Sequence, residues 1–471
     1  MTETASPRPA GSSRQSIENI RRAFVEFLTI PTLVIAGFLM LALIVHFIDA
    51  SGAAASKWGG LFNDPQATRD FLSVIAGGII TVTTMTFSLL LIAVQQGAAA
   101  LTSLVLDQFL RRKVNQFYFG FFVGLALFSL IMLASVNPSH QPALGVALAG
   151  VLTAAALYML IFLIYSTINQ MRPVVILRSI HGHTLLARKN QSDLLRRTRR
   201  SPRLHGEPAA LVAADSNGFM TRLDTPAIAK AVAGSSTEVV ILTSIGDYVT
   251  FGDPVAEIRA APGQDVSALA AVIRKAVDVE EQRDLDGDPA FGIEQIVTIG
   301  WTTISTAKAN PDPGLLAIFD LRDLLARWVQ SDEAFGPGAE SGGDPAAQVV
   351  YSDNLANEVM KGFESLVVVA SESMQHQCAA ECYRTFASQF HRLPPFLQQR
   401  TADIVLRSLA GLGEHIPTSD LASSLTALTG VLAAHRQTKY AKAVTAAQRQ
   451  LELTIGKLNS RSTRAKAAAR D

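Results

Sequence analysis

The chain has 471 residues, of which 49% are hydrophobic and only 17% are charged. Soluble domains carry roughly 25% charged residues, so a large part of this chain faces something other than water. The 41 basic and 40 acidic residues nearly cancel, which excludes a protein that binds a polyanion through a uniformly basic surface.

Four apolar stretches account for most of the hydrophobic excess, and all of them precede Arg172. They cover residues 30–48, 71–94, 115–135 and 143–165. Each is long enough to cross a bilayer as a helix, which takes about 20 residues. We therefore predict a four-helix transmembrane domain over residues 20–171. A disordered tail over residues 1–19 is expected to precede it.

The distribution of Lys and Arg around the spans predicts their orientation, because these residues are retained on the cytoplasmic side of short loops. Basic residues precede span one, separate spans two and three, and follow span four, whereas residues 136–142 include neither Lys nor Arg. Both termini are then cytoplasmic in a multi-pass membrane protein. Asp49 falls in the first external loop, so the spans contain no ionised side chain that would indicate a carrier built on buried charge.

One face of span two is small and polar. Its members recur at steps of three, four or seven residues, which places them on the same side of a helix. Two interpretations stay open: the face packs against another helix, because small residues let backbones approach closely, or it lines a water-filled path. The members of this candidate pore or packing face are Ser73, Gly77, Thr81, Thr84, Ser88 and Gln95.

A basic juxtamembrane segment over residues 172–205 follows span four. Its densest part is a candidate contact for anionic lipid headgroups, at about 1 kcal/mol per charge. Nucleic-acid binding is not expected, because no interleaved aromatic residues or recognised binding fold accompany the charge. The headgroup candidates are Arg196, Arg197, Arg199 and Arg200.

Short β-rich runs follow over residues 206–262, where we predict a small β-barrel-like region. Strands are expected at residues 210–214, 218–223, 238–243 and 255–259. Gly246-Asp247 and Gly252-Asp253 are turn signals of the kind found in lipoyl-like modules, but no lysine stands at a hairpin tip to carry a prosthetic group. We therefore expect no cofactor.

Residues 263–455 show apolar residues at helical spacing, with a linker near residues 331–348 and a basic tail over residues 456–471. The predicted fold is thus a membrane protein with four transmembrane helices and a cytoplasmic α+β module, in which the small β-barrel-like region is followed by helices. Cys378 and Cys382 lie one helical turn apart and cannot form a disulfide framework, so we expect reduced thiols.

No motif in the chain indicates enzyme chemistry, since a Walker loop, GxSxG, HExxH and a dinucleotide fingerprint are all absent. Two groups of residues of metal-ligating types also do not match the spacing of known metal sites. Asp284, Asp286 and Asp288 lack the glycine and glutamate of a calcium loop, and His376 and Cys378 on a helix lack a second ligand pair. We expect neither catalytic residues nor a metal site.

The turn from Ser305 to Pro313 is the candidate for a cytoplasmic ligand site. Pro311 and Pro313 bracket Asp312, which restricts the backbone. Either the turn caps the next helix, or its polar side chains converge on a polar ligand at the positive end of that helix. The candidate ligand residues are Ser305, Lys308, Asn310 and Asp312.

Several short runs together resemble a bacterial family of predicted membrane proteins, domain of unknown function 2254. The runs that carry the resemblance are Asp288-Pro289-Ala290-Phe291-Gly292-Ile293, Ile75-Ala76-Gly77-Gly78, Phe109-Leu110-Arg111 and Gly246-Asp247-Tyr248-Val249. The resemblance covers roughly residues 22–432. It implies a four-span protein of a bacterial inner (plasma) membrane with a cytoplasmic module, and it implies no particular activity.

Two functional classes fit these features. The first is an oligomeric permeation or transport-like assembly, in which the span-two face meets a shared axis and the cytoplasmic domain regulates it. The alternative is a membrane-anchored sensory or scaffold protein that binds a ligand or partner through its cytoplasmic domain. The expected partners are a bilayer with anionic headgroups and further copies of the chain. The direction in which the Thr81 face points distinguishes the two classes.

Overall fold

The computed structural model describes residues 28–51, 64–100, 112–137, 142–305, 310–333, 347–353, 355–413, 416–453 and 455. The predicted tails over residues 1–19 and 456–471, and most of the predicted linker near residues 331–348, lie outside the described residues. The chain divides into two compact units, Met1–Arg172 and Pro173–Asp471.

The first unit holds four helices that are long and apolar enough to cross a membrane. They are α1 (Thr29–Ala50), α2 (Pro65–Ala100), α3 (Lys113–Ser135) and α4 (Ala143–Gln170). These helices confirm the four predicted apolar spans. They form where the apolar runs are longest, because a helix satisfies its own backbone hydrogen bonds and needs no water to do so.

Helix α3 lies at the centre of this unit. More than half of its most apolar stretch is buried, 56%, against 17% for α1 and for α4. Two glycines let α1 approach it closely: a Cβ at Gly124 would lie 2.5 Å from Cδ2 of Phe38, and one at Gly120 would lie 2.9 Å from Cα of Pro31. The glycine pair therefore serves packing within the chain.

Two charged side chains cap helix ends in the membrane unit. Asp49 is buried in the last turn of α1 and accepts hydrogen bonds from the backbone N–H groups of Leu144 (3.1 Å) and Gly145 (3.0 Å), in the first turn of α4. The Arg69 guanidinium donates to the carbonyl of Val136, just beyond α3 (2.8 Å). Asp49 is predicted in an external loop, but the structure places it in the last turn of α1. There its carboxylate satisfies amides that begin α4 and have no partner within that helix.

The second unit contains two open β-sheets and a larger group of helices. Its elements in chain order are α5 (Pro173–Asn190), α6 (Ser192–Arg196), β1 (Ala210–Ala213), β2 (Gly218–Leu223), α7 (Thr225–Val232), β3 (Glu238–Ile241), β4 (Tyr248–Val249), β5 (Pro254–Arg259), α8 (Ser267–Ala276), β6 (Val277–Glu280), α9 (Pro289–Ser305), α10 (Asp312–Glu333), β7 (Val349–Val350), α11 (Leu355–Glu372), α12 (His376–Gln389), α13 (Pro395–Leu412), α14 (Ser419–Ala434) and α15 (Thr438–Glu452).

The strands form sheets in the orders β1-β5-β3-β7 and β4-β2-β6. Neighbouring strands are antiparallel except β3 and β7, which are parallel. The described residues contain no closed barrel, so the β-barrel-like expectation is not confirmed. The physical reason is that helices α7 and α8 cover the apolar faces: Ile228 and Ile273 join Val212, Met220 and Ile258 in one buried core, and closure is not needed to hide the sheets from water.

The two cysteines lie on α12 as free, buried thiols. Burial raises the pKa of Cys378 to about 12, and burial likewise raises the pKa of Cys382 well above its usual value. Both thiols therefore stay protonated at neutral pH and are poor nucleophiles.

Candidate functional site

The polar face of span two points away from the other helices of its own chain. All six of its members are exposed, and a Cβ at Gly77 would find no atom within 4 Å. The hydroxyls of Thr81 and Ser88 donate to the carbonyls of Gly77 (2.8 Å) and Thr84 (2.9 Å), one turn earlier. The hydroxyl donors of Thr81, Thr84 and Ser88 are therefore satisfied within the helix.

The opposite face of the same helix is the one that packs. Leu72, Ile75, Ile79 and Leu90 are buried in the core of the membrane unit. Among the described residues, none approaches the backbone closely at Gly77. The surface of α2 that is available to lipid or to another molecule includes the small polar face, beside exposed apolar side chains such as Val74 and Met85.

A cavity of about 330 Å³ lies in the second unit, where the turn before β4, the start of α9, the segment after β7 and the start of α11 come together. Apolar side chains and charged side chains share its lining. The polar members include Asp247, Arg283, Glu294, Asp353 and Lys361. Such a mixture suits a small polar molecule with an apolar part.

Arg283 organises one wall of this cavity. Its guanidinium binds Asp288 at 2.6 Å and also pairs with Glu294. It lies 5.0 Å from the ring centroid of Phe291 and 5.7 Å from that of Phe219. Burial raises the pKa of the Asp288 carboxyl, against the opposing effect of the Arg283 charge. This ion pair is buried, and Arg283 also places the segment before α9 against Phe219 of strand β2.

Asp288 also starts helix α9, since its carboxylate accepts a hydrogen bond from the backbone N–H of Phe291 (3.0 Å). Gly246 lies directly against this carboxylate. Its φ is +97°, and a Cβ there would be 2.5 Å from Oδ2 of Asp288 and 2.7 Å from Nη2 of Arg283. Only glycine fits both the backbone conformation and the space.

Helix α5 begins three residues after α4 ends, and hydrogen bonds connect it to the cavity, which Gln191 and Asp353 line. Gln191, just after α5, donates to the carbonyl of Gly287 (3.0 Å), and Arg188 binds Asp353 (2.7 Å). His183 bonds Asp286 (2.8 Å). The cavity is therefore tied by hydrogen bonds to the helix that follows span four.

Two of the sequence runs that carry the family resemblance meet at this cavity. Gly246-Asp247 and Asp288-Pro289-Ala290 both line it or its wall, although they are far apart in the chain. Sequence reasoning treated the first run as a turn and the second as a helix start, and it did not join them. The signal in the sequence is that both runs match the same family pattern.

The candidate ligand turn is engaged in local hydrogen bonds. Ser305 donates to the carbonyl of Thr302 (3.3 Å), and Asn310 Oδ1 accepts from the N–H of Asp312 (3.1 Å) while Asn310 Nδ2 donates to Asp312 Oδ2 (3.2 Å). Helix α10 begins at Asp312. Lys308 lies outside the described residues. This geometry favours the helix-start interpretation of the turn over convergence on a ligand.

One of the four headgroup candidates is not available to lipid. Arg199 is buried and forms an ion pair with Glu238, and its backbone pairs with Val350 of β7. The headgroup assignment of Arg199 is therefore wrong, because its charge is neutralised inside the fold. Arg196, which pairs with Asp193, is exposed, as are Arg197 and Arg200.

Other potential metal ligands are used in pairs. His181 bonds Asp323 at 3.0 Å, as His183 bonds Asp286. Among the residues that the structure describes, no group of three or more His, Cys, Asp or Glu side chains could hold a metal ion.

The chain is similar to a family of membrane proteins and to individual bacterial proteins. The family model for "Predicted membrane protein (DUF2254)" matches residues 25–379. Proteins titled as uncharacterized from Mycobacterium bovis and Mycobacterium tuberculosis are 26% identical over 324 residues, which is 65% of this chain. The chain covers 62% of the length of these relatives. No solved structure matches the chain.

Proposed function

The chain belongs to the DUF2254 family of predicted membrane proteins, and from that premise we propose that it forms a homo-oligomer in a bacterial inner membrane, with the polar faces of span two lining a path between copies. Basic residues around the spans support an orientation with both termini in the cytoplasm. The cytoplasmic unit regulates the assembly in this proposal.

The observation that carries this proposal is the outward direction of the span-two face. Its residues are exposed in the single chain, and Gly77 has open space above it. Helix surfaces rich in Gly, Ser and Thr associate in membranes because backbones can approach closely. Facing lipid, the same surface would gain nothing from its small and polar character. A second copy of the chain could pack closely against the small residues, and water between copies could bind the polar ones.

Thiol modification tests whether the face is wetted. Thr81→Cys and Ser88→Cys in the reconstituted protein should react with a membrane-impermeant, water-soluble methanethiosulfonate reagent at least about tenfold faster than Val151→Cys, because thiolate forms only where water reaches the side chain. Val151 is exposed on α4 and serves as the lipid-facing control. Mass spectrometry of the modified protein measures the rates.

The natural cysteines add little background to this measurement, because both are buried and protonated. Ile79→Cys, at a buried position on the packing face of α2, gives the rate for a dry core. Rates at Thr81→Cys and Ser88→Cys no higher than at Val151→Cys would contradict a permeation path. If these cysteines crosslink between copies under oxidation but do not react with the reagent, the chain forms an oligomer whose interface is dry, and the permeation path is contradicted.

The alternative function, a membrane-anchored sensor, is favoured by the cavity beside α5. Ala290 lines this cavity and is half-buried, so Ala290→Trp should fill it, whereas Thr298→Trp, at an exposed position on the same helix, should not. A bound small molecule at a hundredfold excess over its Kd stabilises the folded protein by about 2.7 kcal/mol.

Thermal unfolding of the wild-type protein with nucleotides, amino acids and polyamines measures this effect. The sensor function predicts that one class raises the midpoint in the wild type and in Thr298→Trp but not in Ala290→Trp. A shift that survives in Ala290→Trp would mean that the ligand binds elsewhere, and the cavity would lose its assigned role.

A further inference from the structure

We propose that a groove between spans three and four binds an anionic phospholipid, with its headgroup at Lys113 and one acyl chain along aromatic side chains. The groove measures about 580 Å³ and lies entirely within the membrane unit. It runs between the first turns of α3 and the second half of α4. The residues that form it include Lys113, Phe117, Tyr118, Tyr158, Met159 and Phe162.

The walls of the groove are apolar and open. Phe117, Tyr158 and Phe162 are 39%, 78% and 55% exposed. Tyr118 is buried beneath them, and its ring centroid lies 6.2 Å from that of Phe162, so the floor is fixed by packing. In a bilayer such a surface contacts hydrocarbon. A recess among aromatic rings makes more contacts with an acyl chain than a flat helix surface does, so the chain stays bound for a longer time.

The end of the groove is positively charged. Lys113 is exposed and is the first residue of α3. The preceding residue, Arg112, makes no side-chain cap hydrogen bond, and the first turn of α3 contains no acidic residue. A helix start of this kind attracts anions through its amide groups and its dipole. A lysine at the same point adds a full charge.

The two properties together identify the occupant. An apolar recess that begins at a positive helix end matches an amphiphile with a phosphate at one end and a hydrocarbon chain at the other. The groove lining contains no acidic side chain, so contact with the same groove of a second copy would bury the Lys113 charge without supplying an anion. The site thus fits an anionic glycerophospholipid, and it is separate from the face of span two used in the proposed assembly.

Native mass spectrometry of the full chain tests the proposal. The protein is equilibrated with equal amounts of phosphatidylglycerol and phosphatidylcholine that have identical acyl chains, and the lipids retained after detergent removal are counted. We expect the wild type to retain phosphatidylglycerol at least about fivefold more than phosphatidylcholine. Lys113→Gln should bring the ratio close to one, and Phe162→Ala should reduce the retention of both lipids.

Matched variants separate this site from other sources of lipid binding. Lys230→Gln removes an exposed lysine of the second unit, and Val151→Ala removes an exposed apolar side chain of α4 outside the groove. Neither should change the ratio or the retention. A variant with Gln at Arg196, Arg197 and Arg200 should keep a phosphatidylglycerol preference that Lys113→Gln loses.

Three results would overturn the proposal. They are equal retention of the two lipids by the wild type, a preference that persists in Lys113→Gln, and a change in oligomeric state in Phe162→Ala without a change in bound lipid. The last result would assign the groove to contacts between copies. Because Lys113 and Phe162 are exposed, both variants are expected to fold, and unchanged melting midpoints check this.

Discussion

Gly246→Ala should destabilise the second unit far more than an alanine at any unhindered glycine of the same backbone conformation. The added Cβ would lie 2.5 Å from the Asp288 carboxylate and 2.7 Å from the Arg283 guanidinium. Relief of this clash separates a buried ion pair, and breaking such a pair costs about 3–5 kcal/mol. The left-handed backbone adds about 1–2 kcal/mol.

Gly252→Ala is the matched control for this prediction. Gly252 has a φ of +90°, close to the +97° of Gly246, but a Cβ there meets no atom within 4 Å. Its cost should therefore be the backbone term alone, about 1–2 kcal/mol. Denaturant unfolding followed by the fluorescence of Trp301 and Trp328, which lie on α9 and α10, measures both variants. Equal destabilisation would show that the contact with Asp288 and Arg283 has no energetic weight.

Asp49→Ala should be the most damaging single change among the charged residues of the membrane unit. Asp49 is buried, and its two carboxylate oxygens accept from the N–H groups of Leu144 and Gly145. Each buried donor that is left without a partner costs about 1–3 kcal/mol. Asp49→Asn keeps one acceptor oxygen and should lose less than the alanine variant.

Asp70→Ala provides the comparison, because Asp70 is exposed and accepts one long hydrogen bond from Gln66 (3.4 Å). Its change should stay within about 0.5 kcal/mol. Thermal unfolding in the same detergent ranks the three variants. If Asp49→Ala melts together with Asp70→Ala, the carboxylate does not stabilise the start of α4.

The number and placement of the membrane helices were predictable from the sequence because their determinants are local. A helix bonds to itself, so twenty apolar residues in succession are enough to predict one. The role of Asp49 could not be predicted in this way. Its partners Leu144 and Gly145 are 95 and 96 residues away along the chain, and only the packing of α1 beside α4 brings them together.

The β-region shows the same limit. Strands β1, β2, β3 and β5 lie close to the four predicted places, but β4, β6 and β7 were not predicted. The sheet order depends on β7, which pairs with β3 from more than a hundred residues downstream. Nothing in the local pattern indicates that partner. The cavity was missed for a related reason, because the contact of Gly246 with Asp288 exists only after β2, β4 and α9 have assembled.

The exposure of the span-two face could not be predicted from the periodicity of the sequence either. Periodicity groups Ser73, Gly77 and Thr81 on one side of a helix, but it does not say which side meets the bundle. The structure answers this for a single chain, since the side with Leu72, Ile75 and Leu90 is buried. What covers the other side stays a proposal.

The backbone pairing of Arg199 has a consequence for solubility. Strand β7 lies at the end of its sheet, and an uncovered edge presents unpaired N–H and C=O groups that recruit strands from other molecules. Arg199 accepts from Tyr351 (2.8 Å) and donates to Val349 (2.9 Å), which occupies these groups. The basic segment thus covers the edge of this sheet. A soluble fragment that starts after the segment would expose β7, and we expect it to aggregate through that edge.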